Sequence, residues 1–149
     1  MKTIDALVRS ILVGVILATA GCATAPAVTT RAATSTVPQD GSGRIVFYRP
    51  SGLFGYGMRP DIFLDGKKVG ESTPGSQFHV PVAPGTHYVS VPNSVYSGDR
   101  RLEVKVGNKE IVYVRTSLGG SAFGGRTNVE LIGASEGASE SEGLDLAGS

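Results

Sequence analysis

The sequence predicts an all-β protein, an antiparallel β-sandwich of about seven or eight short strands. Three observations carry that expectation. Between residues 44 and 133 the chain breaks into short runs rich in β-branched and aromatic residues. Gly, Pro, Asn or Asp separates these runs, roughly every 8 to 12 residues as in sandwiches and barrels. Finally, the 149 residues include 21 Gly and 8 Pro, and no stretch before residue 134 reads as a capped helix.

The first run, RIVFYRP (44–50), is apolar over most of its length. DIFLDG (61–66) and KKVGE (67–71) meet at Asp65-Gly66, a dipeptide suited to a type I′ hairpin because both central residues need positive φ. SQFHVPV (76–82) and THYVSVP (86–92) flank Pro84-Gly85. Read as a tight hairpin, that turn sets Val82 opposite His87 and Ser90 opposite His79. RLEVKV (101–106) alternates most cleanly, with Leu102, Val104 and Val106 inward and Arg101, Glu103 and Lys105 outward. Gly107-Asn108 is expected to join it as a hairpin to KEIVYVRTS (109–117). The IVYV core of that run (111–114) is apolar on both faces, which predicts a central strand. TNVELIG (127–133) closes the series.

The N-terminus has another character. MKTIDALVRS carries Lys2 and Arg9, and the apolar run that follows has the length of a signal-peptide core, too short for a comfortable membrane span. Ala20 and Gly21 lead straight into Cys22, the single cysteine. LATAGC (17–22) resembles the lipobox of bacterial lipoproteins, with Thr19 where Leu is more usual. The resemblance implies cleavage before Cys22 and acylation of its thiol, and Ala23 in place of Asp matches the pattern sent to the outer membrane. A secreted chain with an incidental thiol and an uncleaved anchor helix are the competing readings. A lone thiol in an oxidising compartment lacks a disulfide partner, which favours lipidation; two or three acyl chains hold essentially permanently. The expected organisation is a signal peptide over 1–21, then Cys22 and an Ala/Thr/Pro-rich tether over 22–43. A β-sandwich domain follows over 44–132, and an acidic tail over 133–149. As a flexible coil the tether spans roughly 25 to 30 Å.

Net charge is +1, which gives no general pull toward nucleic acid. The charges are uneven all the same. Residues 44–132 hold eleven basic and seven acidic side chains, whereas GASEGASESEGLDLAGS (133–149) holds four acids and no base. The tail is expected to be disordered or a frayed turn, with at most a loose electrostatic contact to the domain.

The strings VFYRP (46–50), IFLDGKKVGES (62–72), VAPGTHYVSV (82–91) and EIVYVRTS (110–117) together resemble a bacterial lipoprotein domain of uncharacterised function. They are also similar to PEGA-type β-sandwich modules, although Ala83-Pro84-Gly85-Thr86 stands where those modules carry Glu-Gly. The resemblance covers residues 44–132. It implies a transthyretin-like or immunoglobulin-like sandwich, and it implies no catalytic residues.

The residues themselves point the same way. His79 and His87 are the only histidines, and the hairpin pairing puts them on opposite faces, so no metal site is expected; His87 is expected to support the turn and His79 to be exposed. GGSAFGGR (119–126) lacks the Gly-Lys-Ser/Thr ending of a phosphate loop and reads as a strand connection. No Gly-x-Ser-x-Gly elbow is present. Asp61 and Asp65 are explained by turn chemistry. Neither a cofactor nor an enzymatic activity is expected. The candidate functional element is SGLFGYGMRP (51–60), where Leu53, Phe54, Tyr56 and Met58 precede Arg59. Such side chains either fold back over an open end of the core or recognise a partner, since aromatic, Met and Arg residues are enriched at interfaces. Tyr96 and Arg100, in NSVYSGDRR (93–101), are expected at a neighbouring loop. The expected function is a lipid-anchored envelope module, with its domain facing the periplasm, that binds another envelope protein. The alternative is an envelope-glycan module using Tyr56 and Tyr96 as stacking platforms.

Overall fold

Each β-branched run becomes a strand close to where the sequence places it. The computed structural model describes residues 37–52, 55–92, 94, 101–121 and 124–147, the side chains at 120, 121, 124 and 125 excepted. In chain order the strands are β1 (Gly43–Arg49), β2 (Asp61–Leu64), β3 (Lys67–Glu71), β4 (Ser76–Val82), β5 (Gly85–Ser90), β6 (Leu102–Val106), β7 (Ile111–Ser121) and β8 (Gly124–Ile132). A short helix α1 (Ala134–Ser141) and the two-residue strand β9 (Asp145–Leu146) follow.

Two sheets result, one in the order β8-β7-β1-β4-β9 and the other β3-β2-β5-β6. Most neighbours are antiparallel; β1 with β7 and β4 with β9 run parallel. The sandwich is the one the sequence predicts, and β7, which contains IVYV, lies inside its sheet between β8 and β1. The core consists of Ile45 and Phe47 from β1, Ile62 and Leu64 from β2, and valines of β5 to β8. Each fully buried side chain of this kind contributes about 1.5–3 kcal/mol. Phe47 stacks on Phe78, ring centroids 5.2 Å apart, and the Phe78 ring lies over Gly70 of the opposite sheet.

Asp65 and Gly66 take φ of 50° and 80°, and β2 and β3 pair across them as a hairpin. Two other turns depart from expectation. At Pro84-Gly85 the chain crosses between sheets, because Gly85, at φ 149°, redirects the backbone along a path open to glycine. Val82 therefore lies opposite Gly43, His79 opposite Val46, His87 opposite Val104 and Ser90 opposite Phe63. His79 is half-buried rather than exposed. At Gly107-Asn108 the chain also changes sheet. The positive φ falls at Lys109 (59°), and the Glu110 N–H donates to the Gly107 carbonyl, so this turn sits one residue later and joins no hairpin.

The acidic tail is ordered over α1 and β9, contrary to the disorder expected of its composition. Its partners are distant in sequence. Arg115 of β7 bonds to Glu136 and Glu140, and Gln77 of β4 donates to the Ser141 carbonyl. Backbone bonds from Asp145 and Ala147 to Gly75 and Gln77 seat β9 on the outer edge of β4. Pro81 shares the outward phase of Gly75 and Gln77, so no N–H projects from that edge there.

Candidate partner-binding surface

At one end of the sandwich the core turns polar. Ile45, Phe47 and Arg49 share the inward phase of β1, and Arg49 is only 4% exposed. Thr116 follows Val112 and Val114 inward along β7, and Thr127 precedes Val129 on β8; both threonines are buried. The Ser72 and Thr116 hydroxyls lie 2.7 Å apart, and Thr116 donates to the Tyr48 carbonyl.

Arg49 organises the loop above this floor. Its Nη1 donates to the carbonyls of Met58 (2.8 Å) and Ser72 (3.1 Å), and its Nη2 to that of Gly55 (2.9 Å). Burial holds its pKa below the ordinary guanidinium value. Gly55, at φ 68°, lies against Leu118, where a Cβ would collide with that side chain. The Met58 N–H closes a turn on the Gly55 carbonyl at 3.0 Å. Gly55 and Met58 are thus pinned at their backbone, while the side chains of Tyr56 (69% exposed), Met58 (45%) and Arg59 project into solvent. Tyr56 and Met58 do not fold back over the core.

Leu118 pairs with Thr127 across the β7–β8 hairpin, and Thr127 bridges to Ser94. The hairpin thus meets Gly55 at Leu118 and Ser94 at Thr127. Leu53, Phe54, Tyr96, Arg100 and Cys22 lie outside the described residues. Sequence reasoning missed Arg49, Ser72 and Thr116, which hold the loop. The available signal was the alternation of RIVFYR, which puts a cation on the inward face.

His87 lies at the other end of β5, close to the Asp65-Gly66 turn. Its Nδ1 is 2.8 Å from Asp65 Oδ2 and its Nε2 2.8 Å from the Ala83 carbonyl, while the Tyr88 N–H donates to Asp65 Oδ1. His87 thus supports the Asp65-Gly66 turn, whereas the sequence assigns it to Pro84-Gly85, across which it makes its bond to the Ala83 carbonyl. Among the described residues no three His, Cys, Asp or Glu side chains are placed to hold a metal ion.

Residues 39–125 match the family described as "Protein of unknown function (DUF2846)". The chain belongs to this family. The family span runs from before β1 into the start of β8 and so includes Arg49, the 51–60 loop and Thr116. The chain is also similar to a protein of Haemophilus influenzae (strain ATCC 51907 / DSM 11121 / KW20 / Rd) that carries the name "Uncharacterized protein". The two are 26% identical over 143 residues, covering 93% of this chain and 83% of the relative. No solved structure matches the chain.

Proposed function

We propose that the protein is a non-enzymatic lipoprotein of the cell envelope, anchored through acylated Cys22, that binds another envelope protein through the 51–60 loop. The fixed loop carries the reading. Tyr56 and Met58 stand in water on a backbone that Arg49 holds at two carbonyls. A side chain displayed on an ordered backbone loses less entropy on binding than one on a free loop. Tyr and Arg are also the residue types that dominate binding energy at interfaces. The Ala/Thr/Pro-rich tether from residue 23 ends before the turn at Gln39–Ser42, which bonds to Asn108 and Lys109, and it gives the domain reach from an outer-membrane surface into the periplasm. The likeness to PEGA-type modules, carried by the Asp65-Gly66 turn and the Pro84-Gly85 step, belongs to this reading.

In-cell crosslinking of the full-length protein, followed by detergent capture and mass spectrometry, tests the proposal against the Tyr56→Ser, Met58→Ser double variant. One recurring envelope protein, lost in the variant while the thermal midpoint moves little, is the expected result. Equal capture in both samples contradicts it. Tyrosine fluorescence quenched by glycan fragments, and unquenched in the variant, would move the site to envelope glycan, the second reading, which the exposed Tyr56 ring favours.

A further inference from the structure

The helix α1 lacks the features that normally hold a helix in place. ASEGASES contains no large apolar residue, so it has no stripe to bury. Its eight residues fall short of the roughly 12–15 that an isolated helix needs. Gly137 sits in its interior, Gly133 caps it without a side-chain bond, and its last turn carries no base. Its order therefore comes from the surface beneath it. Arg115 Nη1 donates to both Glu140 oxygens, at 2.8 and 2.9 Å, and reaches Glu136 at 3.4 Å; Nη2 donates to Glu130 at 2.8 Å. The Tyr48 hydroxyl donates to Glu140 at 2.8 Å. Gly137 lies directly on the Tyr113 ring, where any Cβ would collide, and Tyr113 meets Tyr48 edge-on at 6.5 Å.

One guanidinium thus gathers three carboxylates, two of them from the tail. The hydrogen bonds from Tyr48 and Arg115 hold the Glu140 carboxyl below the usual carboxylate range. Arg115 is 26% exposed at its side chain, Glu140 32% and Glu136 57%, so dissolved ions reach the cluster.

We propose that residues 133–147 form a charge-held latch that folds only while docked on Arg115. Rising ionic strength releases it, uncovering Tyr48, Tyr113 and the outer edge of β4 while the sandwich stays folded. The tail is then an intramolecular occupant of a strip that combines two tyrosines, a cation and a strand edge. This inference is independent of the 51–60 loop.

Amide hydrogen exchange on the full-length protein tests it. The Gly137, Glu142, Asp145 and Ala147 amides all donate hydrogen bonds within the tail or from it to the β4 region. At about 1 M salt, where the screening length falls to about 3 Å, these amides should exchange at least about tenfold faster, with β1 and β7 amides unchanged. Arg115→Gln should give the same acceleration at low salt and abolish the salt response. Glu140→Gln, which leaves the sheet untouched, should reproduce it in part. Tail protection that ignores salt and both substitutions overturns the latch. So does tail exchange that accelerates only together with β1 and β7, because the tail would then be part of the cooperative core.

Discussion

Arg49 continues the inward phase of β1 beyond Ile45 and Phe47, and its guanidinium arrives where the apolar core meets the 51–60 loop. Replacing it with Met leaves the Gly55, Met58 and Ser72 carbonyls without this donor. Arg49→Met should therefore destabilise the domain by about 1.5–3 kcal/mol, measured by urea denaturation, and the Met58 amide should lose protection from exchange. Arg49→Lys should restore only part of this, since a point ammonium does not span carbonyls placed for a planar fork. His87 offers a second test at this scale. Burial alone would lower its pKa, but the bonds to Asp65 and to the Ala83 carbonyl outweigh that and raise it. Its contribution to stability is complete below the ordinary histidine pKa and is lost as pH rises through the raised value. For Asp65, burial alone would raise the pKa, and the bonds from His87 and the Tyr88 N–H outweigh it. That contribution is present above the ordinary carboxylate pKa and is lost as pH falls through the lowered one. An NMR titration should find His87 above the ordinary histidine range, returning to or below it in Asp65→Asn. An unchanged titration in that variant would contradict the pairing.

Among the elements, α1 sets propensity against packing. Alanine is the better helix former by about 1 kcal/mol, so Gly137→Ala would stabilise a free helix. Here a Cβ at 137 collides with Tyr113, so the same change should detach α1, seen as loss of protection at the Gly137 and Glu142 amides. The helix was illegible in the sequence for the same reason. Its order resides in Arg115, Tyr48 and Tyr113, and ASEGASES on its own has the composition of a disordered tail. The strands were legible because alternation such as that of Leu102–Val106 is local. Their sheet assignment was legible only in part. Asp65-Gly66 makes a hairpin because both residues take positive φ, whereas Pro84-Gly85 and Gly107-Asn108 use similar chemistry to change sheets. Of the candidate site, the loop that carries Tyr56 and Met58 could be read from its place between two strands, but their exposure could not, because the sequence also allows them to fold back over the core. The alternation of RIVFYR places a cation on the inward face beneath them, but its partners could not be read, since they are carbonyls set by the folded loop.

For the molecule as a whole, the two sheets are held by a core from a domain of about 90 residues, a size at which somewhat over 60% of the unfolded surface is buried. Phe78, stacked on Phe47 of its own sheet, joins the two sheets by lying over Gly70, where an added Cβ would meet the ring at 2.6–2.9 Å. Because the stack limits how far the ring can move, Gly70→Ala should cost about 1–3 kcal/mol, read from the denaturation midpoint. The polar end of this core fixes the 51–60 loop at Gly55 and Met58, and in the proposed function that loop is the partner-binding element. Binding of an envelope protein by that loop is the central claim. It is tested most directly by placing a photo-crosslinking amino acid at position 56 of the full-length protein in cells, with position 105 of β6 as control. A single recurring adduct at 56 that is absent at 105 is the predicted result. The same set of abundant neighbours at both positions would contradict it.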